Sequence, residues 1–130
     1  MLKKQIPFDG VPPSGIFIRR KSGDAYYVKA SIAHPVSEIH LQSWSAKPVL
    51  VTEMAFATLT IGKKIGFRDG TVVKDFADGI MYLISDSKRR KITSPDALAA
   101  LGGKKSAMLV PSEYISVHEE GEPLATLYVG

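Results

Sequence analysis

Ile65-Gly66-Phe67-Arg68-Asp69-Gly70-Thr71-Val72-Val73-Lys74 reads as two β-type runs joined by Asp-Gly, a pair that readily takes the positive φ angles of a tight hairpin. A hairpin centred on Asp69 and Gly70 is therefore expected. Downstream, Met81-Tyr82-Leu83-Ile84 has strand character, Ser85-Asp86-Ser87 supplies turn chemistry, and Lys88 to Ile92 gives a further strand, completing a three-strand meander. Next, Ser94 stands at a helix N-cap, Pro95 fits the first helical position, and Gly102 suits the left-handed stop, which predicts a helix of about two turns. Leu98 and Leu101 are placed to share its buried face. Ala107 to Val110 reads as a short buried strand, Pro111 to Ile115 as one helical turn, and Leu124 to Val129 as a closing strand.

Working outward, the amino-terminal half repeats this pattern. Ser14-Gly15-Ile16-Phe17-Ile18-Arg19 lies on Asp69-Gly70-Thr71-Val72-Val73-Lys74, and Tyr27-Val28 on Tyr82-Leu83. With small gaps, Val36-Ser37 falls on Ile92-Thr93, Val49-Leu50-Val51 on Met108-Leu109-Val110, and Gly62-Lys63-Lys64-Ile65 on Gly121-Glu122-Pro123-Leu124. The expected organisation is an N-terminal arm over 1–13, a degenerate first unit over 14–68 and a second unit over 69–130. The fold class is α+β, mostly β: tandem small antiparallel units, each with a short helix, joined by the Asp-Gly hairpin. The first helix segment, Ser37 to Trp44, lacks the proline and the glycine stop of the second. The second unit is accordingly expected to be the stable half. Gly70→Val should then cost at least about 1 kcal/mol, and Gly15→Val, with no Asp before it, less.

A chain of 130 residues is long enough to bury roughly two thirds of its unfolded surface without staples, and it has no cysteine for a disulfide, thiolate site or nucleophile. Met1 to Phe8 has a basic start but no apolar run of signal or membrane-span length, so a soluble, unprocessed chain is expected. The net charge of +4, from 17 Lys and Arg against 13 Asp and Glu, is moderate and dispersed. Only Lys88-Arg89-Arg90-Lys91 approaches a basic stripe, and alternation along a strand splits it between two faces. A solvated strand at a domain edge explains it better than a nucleic-acid site.

No constellation of residues calls for a particular chemistry. His34, His40 and His118 lie at no metal-pair spacing, and His40 and His118 are expected on the surface. Gly102-Gly103-Lys104-Lys105 lacks the spaced glycine and the Lys-Ser/Thr ending of a phosphate loop. Asp69, Asp75, Asp78 and Asp86 lack the alternation of a calcium loop and read as turn residues. Among the aromatic residues, Tyr26 and Trp44 are the candidates for stacking on sugar rings, although core positions are the commoner use of such residues. The expectation is a non-enzyme without catalytic, metal or cofactor site, whose informative positions are structural: Asp69, Gly70, Ser94, Pro95, Gly102 and Gly121.

These positions resemble a repeat found in bacterial surface-associated proteins and in structural proteins of actinobacterial phages. The shared elements are the Asp69-Gly70 strand opening, the Tyr82 strand, the basic strand ending at Ile92, the Ser94-capped helix ending at Gly102, and the closing Gly121-Glu122-Pro123-Leu124. The resemblance covers 69–124 well and 14–68 loosely, and it departs from the family where Leu98 and Gly103 stand in place of an aromatic. It implies a virion structural protein assembled in the host cytoplasm, most simply a minor tail component, with capsid decoration or cell-wall and glycan binding as alternatives. The partners so implied are other virion proteins, further copies of the chain, or a host-surface glycan, with neither membrane nor nucleic acid.

Overall fold

The computed structural model describes residues 6–124, and the chain divides into two compact units, Met1–Ile65 and Gly66–Gly130. The division thus falls at Ile65/Gly66, where the sequence reading placed it at 68/69.

Unit one runs β1 (Phe17–Arg19), β2 (Ala25–Lys29), β3 (Ile32–Val36), α1 (Glu38–Gln42), β4 (Val49–Leu50), α2 (Glu53–Phe56) and β5 (Thr60–Ile61). Unit two runs β6 (Val72–Asp75), β7 (Met81–Ser85), β8 (Lys88–Lys91), α3 (Pro95–Ala100), a 3-10 turn (Lys104–Ser106), β9 (Met108–Val110), α4 (Ser112–Ile115) and β10 (Glu119–Glu120). The sheet orders are β4-β1-β2-β3-β5 and β10-β8-β7-β6-β9, which are the same order read from opposite edges. In each, an antiparallel meander forms the centre, and a short strand pairs in parallel on either side. The chain is therefore mostly β with short helices, as expected, but the sheets are mixed, with more than one helix in each unit.

Hydrogen bonding repeats almost atom for atom. Gly15 N–H donates to the Val28 carbonyl at 2.8 Å, and Gly70 N–H to that of Ile84 at 2.7 Å. Gly62 N–H reaches Ala33 and Gly121 N–H reaches Arg89, both at 2.9 Å, while Ile65 and Leu124 donate to Pro35 and Lys91. The tandem duplication is thus a structural fact, with one adjustment to the sequence alignment. Phe17 pairs with Tyr27 and Val72 with Leu83, so Tyr26, rather than Tyr27, occupies the place of Tyr82. The shift arises in the turns: Arg20 N–H closes on Asp24, whereas Asp75 N–H closes on Ile80, one residue further.

The tight hairpins sit elsewhere than the Asp-Gly signal implied. Ala30 and Ser31, at φ 51° and 62°, join β2 to β3, and Asp86 and Ser87, at 57° and 61°, join β7 to β8. Two consecutive left-handed residues are the geometry whose twist suits a two-residue hairpin. Asp69-Gly70 is instead a turn leading into β6, with no strand on its amino-terminal side, so the units are not joined by a hairpin there. The Asp69 carboxylate accepts from Ser87 N–H at 2.9 Å, which ties this turn to the true hairpin; Ser14 Oγ accepts from Ala30 N–H at 2.8 Å in unit one.

That correspondence changes the expected ranking of the two glycine variants. Gly15 and Gly70 both have φ of 92° with open space where a side chain would project, and each follows a side chain that anchors the turn. Gly15→Val and Gly70→Val are therefore expected to cost about the same, roughly 1–3 kcal/mol each, from backbone strain alone. Denaturant melts of the two variants check this, and a markedly smaller loss at Gly15 would contradict it.

Helix ends follow their local chemistry. Ser94 Oγ accepts from the N–H groups of Asp96 and Ala97, Pro95 occupies the first turn, and Gly102 and Gly103 take φ of 102° and 75°. Gly103 N–H closes back on Leu98 at 2.8 Å. The helix turns Ala97 inward, leaving Leu98 and Leu101 half-buried rather than forming the buried face. Ile18 and Val28 anchor the first core, and Val73 and Ile84 occupy the matching fully buried places in the second. Leu124 bridges to Ile92, and the rest of the expected closing strand, 125–129, lies outside the described residues.

Candidate functional site

Exposed apolar side chains gather at corresponding edges of the two units. In unit one, Phe8 N–H donates to Leu50 and Thr52 N–H to Phe8, so the segment carrying Phe8 is laid along β4. Thr52 Oγ1 also donates to Asp9, and it caps α2 by accepting from Ala55 N–H. Part of the expected arm is thus paired within its own unit. Val49 on β4, Phe8 beside it and Met54 on α2 remain exposed, Met54 at 79 %. In unit two the matching strand is β9, where Leu109 is 58 % exposed; Phe76, whose N–H donates to Val110, is 72 % exposed. The edges differ in one respect. Pro111 stands where unit one has Thr52, so the donor that holds Phe8 in place has no counterpart in unit two.

The aromatic candidates are packed inside unit one. Tyr26 is buried, with its ring 4.9 Å from that of Phe56. Arg20 lies over Phe56 at 4.1 Å and pairs with Glu53, whose carboxyl is held below the usual range by that guanidinium. Trp44 is half-buried, stacked with Tyr27 at 6.2 Å and tilted against Phe17 at 5.6 Å.

His40 and His118 are buried, contrary to the surface placement expected of them, because each finds polar partners indoors. His40 Nδ1 lies 2.8 Å from the Ser37 hydroxyl at the cap of α1. His118 accepts the Phe67 N–H at Nε2 (2.9 Å) and meets the Ser87 carbonyl at Nδ1 (2.7 Å), which fixes the neutral tautomer with its proton on Nδ1. His34, on β3, places Nδ1 2.8 Å from the Lys63 carbonyl. Among the described residues, no group of three or more His, Asp or Glu side chains is placed to hold a metal ion.

The remaining sequence candidates occupy turns and strand contacts. Asp75 accepts from Ala77 N–H and from the Ser112 hydroxyl, and Asp78 from Ile80 N–H. Gly121 lies where a Cβ would come within 3.2 Å of Lys88. The basic run is an internal strand rather than an edge: β8 lies between β7 and β10, Arg89 pairs with Glu120 at 3.6 Å, and Arg90 Nε donates to the Glu122 carbonyl. Among the described residues, no helix is long and apolar enough to cross a membrane.

No family model matches the chain. Nor does any curated protein. Among solved structures, the chain is similar to the periplasmic assembly from the ESX-5 inner membrane complex, at 15% identity and a TM-score of 0.35. That match covers 90% of this chain and 42% of the other, so the chain spans less than half of its length. A likeness this distant bears on neither partner nor activity. The Phe8, Met54, Leu109 and Phe76 edges were not singled out by sequence, because a lone apolar residue carries no pattern until its strand is known to be an edge.

Proposed function

We propose that this chain is a non-enzymatic structural protein of a phage virion, a minor tail component that works through protein–protein interfaces. The observation that supports this most is that exposed apolar side chains lie on or beside the corresponding edge strand in both units, at non-equivalent positions: Phe8, Val49 and Met54 around β4, and Leu109 on β9 with Phe76 bonded to it from the end of β6. Apolar groups collected at a sheet edge favour burial against another protein. A duplicated unit presents such an edge twice, which fits a component that must touch repeated neighbours. At β9, Pro111 removes a backbone donor, so the contact there rests on side-chain packing rather than strand addition. The virion setting comes from the resemblance of the Asp69-Gly70, Ser94-Pro95 and Gly121 framework to phage structural repeats. The glycan-binding alternative relied on Tyr26 and Trp44, and with Tyr26 in the core the apolar edges are the better supported surface.

Mass spectrometry of density-gradient-purified virions tests the setting: the protein should be present at defined stoichiometry, and its absence would overturn the reading. The edge is tested separately by Phe76→Asp with Leu109→Asp. Both residues are exposed, so folding should be retained by circular dichroism while incorporation falls at least about tenfold, an interface loss of roughly 1.4 kcal/mol or more. Undiminished incorporation would remove the edge from the proposal.

A further inference from the structure

The His118 contacts reach both the amino-terminal segment of unit two and its hairpin. We propose that His118 is a pH-sensitive latch that holds the Phe67 backbone, in the entry segment of unit two, while its imidazole is neutral and gives up that contact on protonation. The latch rests on geometry. Nε2 accepts the Phe67 N–H at 2.9 Å, Nδ1 donates to the Ser87 carbonyl at 2.7 Å, and the imidazole stacks on the Phe67 ring at 5.8 Å and 19°. Ring and Phe67 are both buried, and Gly66 passes so close that a Cβ there would fall 2.3 Å from Nε2.

Protonation adds a hydrogen at Nε2, where the Phe67 N–H already points. Two donors then face each other in a site with little solvent, so the Phe67 contact must open, whereas the Nδ1 bond to Ser87 survives. The two bonds therefore respond differently, and the Phe67 contact is the one that is lost, while Asp69 stays tied to Ser87 N–H. Burial pushes the imidazole below the ordinary histidine range; the Ser87 carbonyl and Asp69 oppose that shift, and Arg89 on β8 reinforces it. Asp69 on the entry segment and Arg89 on β8 thus act on the ring in opposite senses. Because the folded-state value is depressed, the stabilisation is fully present above the unfolded value of about 6.5 and is lost as the pH falls below it.

Amide hydrogen exchange by NMR on the full chain, expressed as protection factors at pH 7.5 and pH 5.0, tests the latch. Protection of the Phe67 amide should fall at least about tenfold at pH 5.0 while that of Val73 in the β6 core is retained. In His118→Gln, which cannot titrate, the pH dependence at Phe67 should vanish. Unchanged Phe67 protection in the wild type would overturn the proposal, as would a parallel loss at Val73, which marks global unfolding. A pH response that persists in His118→Gln would assign it to another group and overturn it equally. Should that variant fail to fold, the comparison of Phe67 with Val73 in the wild type decides alone.

Discussion

Ile84→Ala should cost about 2–5 kcal/mol, and Ile18→Ala a similar amount in the other unit, because both side chains are fully buried at the centre of a sheet. The two residues do not occupy equivalent strands. Ile18 lies on β1 and faces the same core as Val28 on β2; in unit two the places are taken by Val73 on β6 and Ile84 on β7. The larger residue has moved to the neighbouring strand while the pair keeps its combined volume. That exchange can be imitated. Ile18→Val alone should cost about 0.5–1.5 kcal/mol and Val28→Ile alone should strain the core, but the double variant should recover most of the loss. A denaturant-melt cycle measures the coupling, which should be at least about 0.5 kcal/mol for residues sharing one core. Strict additivity would mean that the two positions do not share volume.

The same duplication shows how far the sequence could be read. Caps and stops were legible because their chemistry is local: Ser94, Pro95 and Gly102 each act on neighbours a few residues away. The repeat was legible for a related reason, since Gly15 and Gly70 announce the same left-handed turn. The hairpins were harder. Ser85-Asp86-Ser87 was legible as the turn between β7 and β8, but Asp69-Gly70 carries the stronger hairpin signal without forming one, and Ala30-Ser31 turns at positive φ with no glycine or Asp to announce it. At Ala30 strand pairing imposes a conformation that alanine rarely takes, whereas Asp86 tolerates it. β4, β5 and β10 are too short for a period-two pattern and are held in parallel by partners far along the chain, so the mixed character of the sheets had no local signal. His118 was unreadable for the same reason, because its partners are the backbone of Phe67 and Ser87, and a histidine beside Glu119 and Glu120 looks solvated.

Gly66 turns that concealed contact into a second large expected effect. A Cβ at Gly66 would stand 2.3 Å from His118 Nε2, 2.6 Å from its Cε1 and 3.0 Å from Val117 Cγ2. Relief by ring movement is closed off, since the imidazole is buried and held at both nitrogens, one of them by the residue next to Gly66. Gly62 makes a milder case: its Cβ would meet Ile32 Cγ2 at 2.4 Å and the His34 ring at 3.1 Å, but both residues are half-buried, which leaves more room for them to shift than the buried His118 has. Gly66→Ala is therefore expected to cost roughly 2–4 kcal/mol, from overpacking together with the weakened Phe67 hydrogen bond, and Gly62→Ala clearly less. The cause is separable from backbone conformation, because Gly66 is not among the glycines with positive φ. Removing the ring removes the two nearest contacts and leaves only Val117 Cγ2 at 3.0 Å, on a side chain that is 46 % exposed and can give way, so in a His118→Ala background the further change Gly66→Ala should cost less than about 1 kcal/mol. Denaturant melts of the two single variants and the double variant give the coupling directly. If Gly66→Ala costs as much without the imidazole as with it, the close approach of Gly66 to His118 is not what requires glycine at this position.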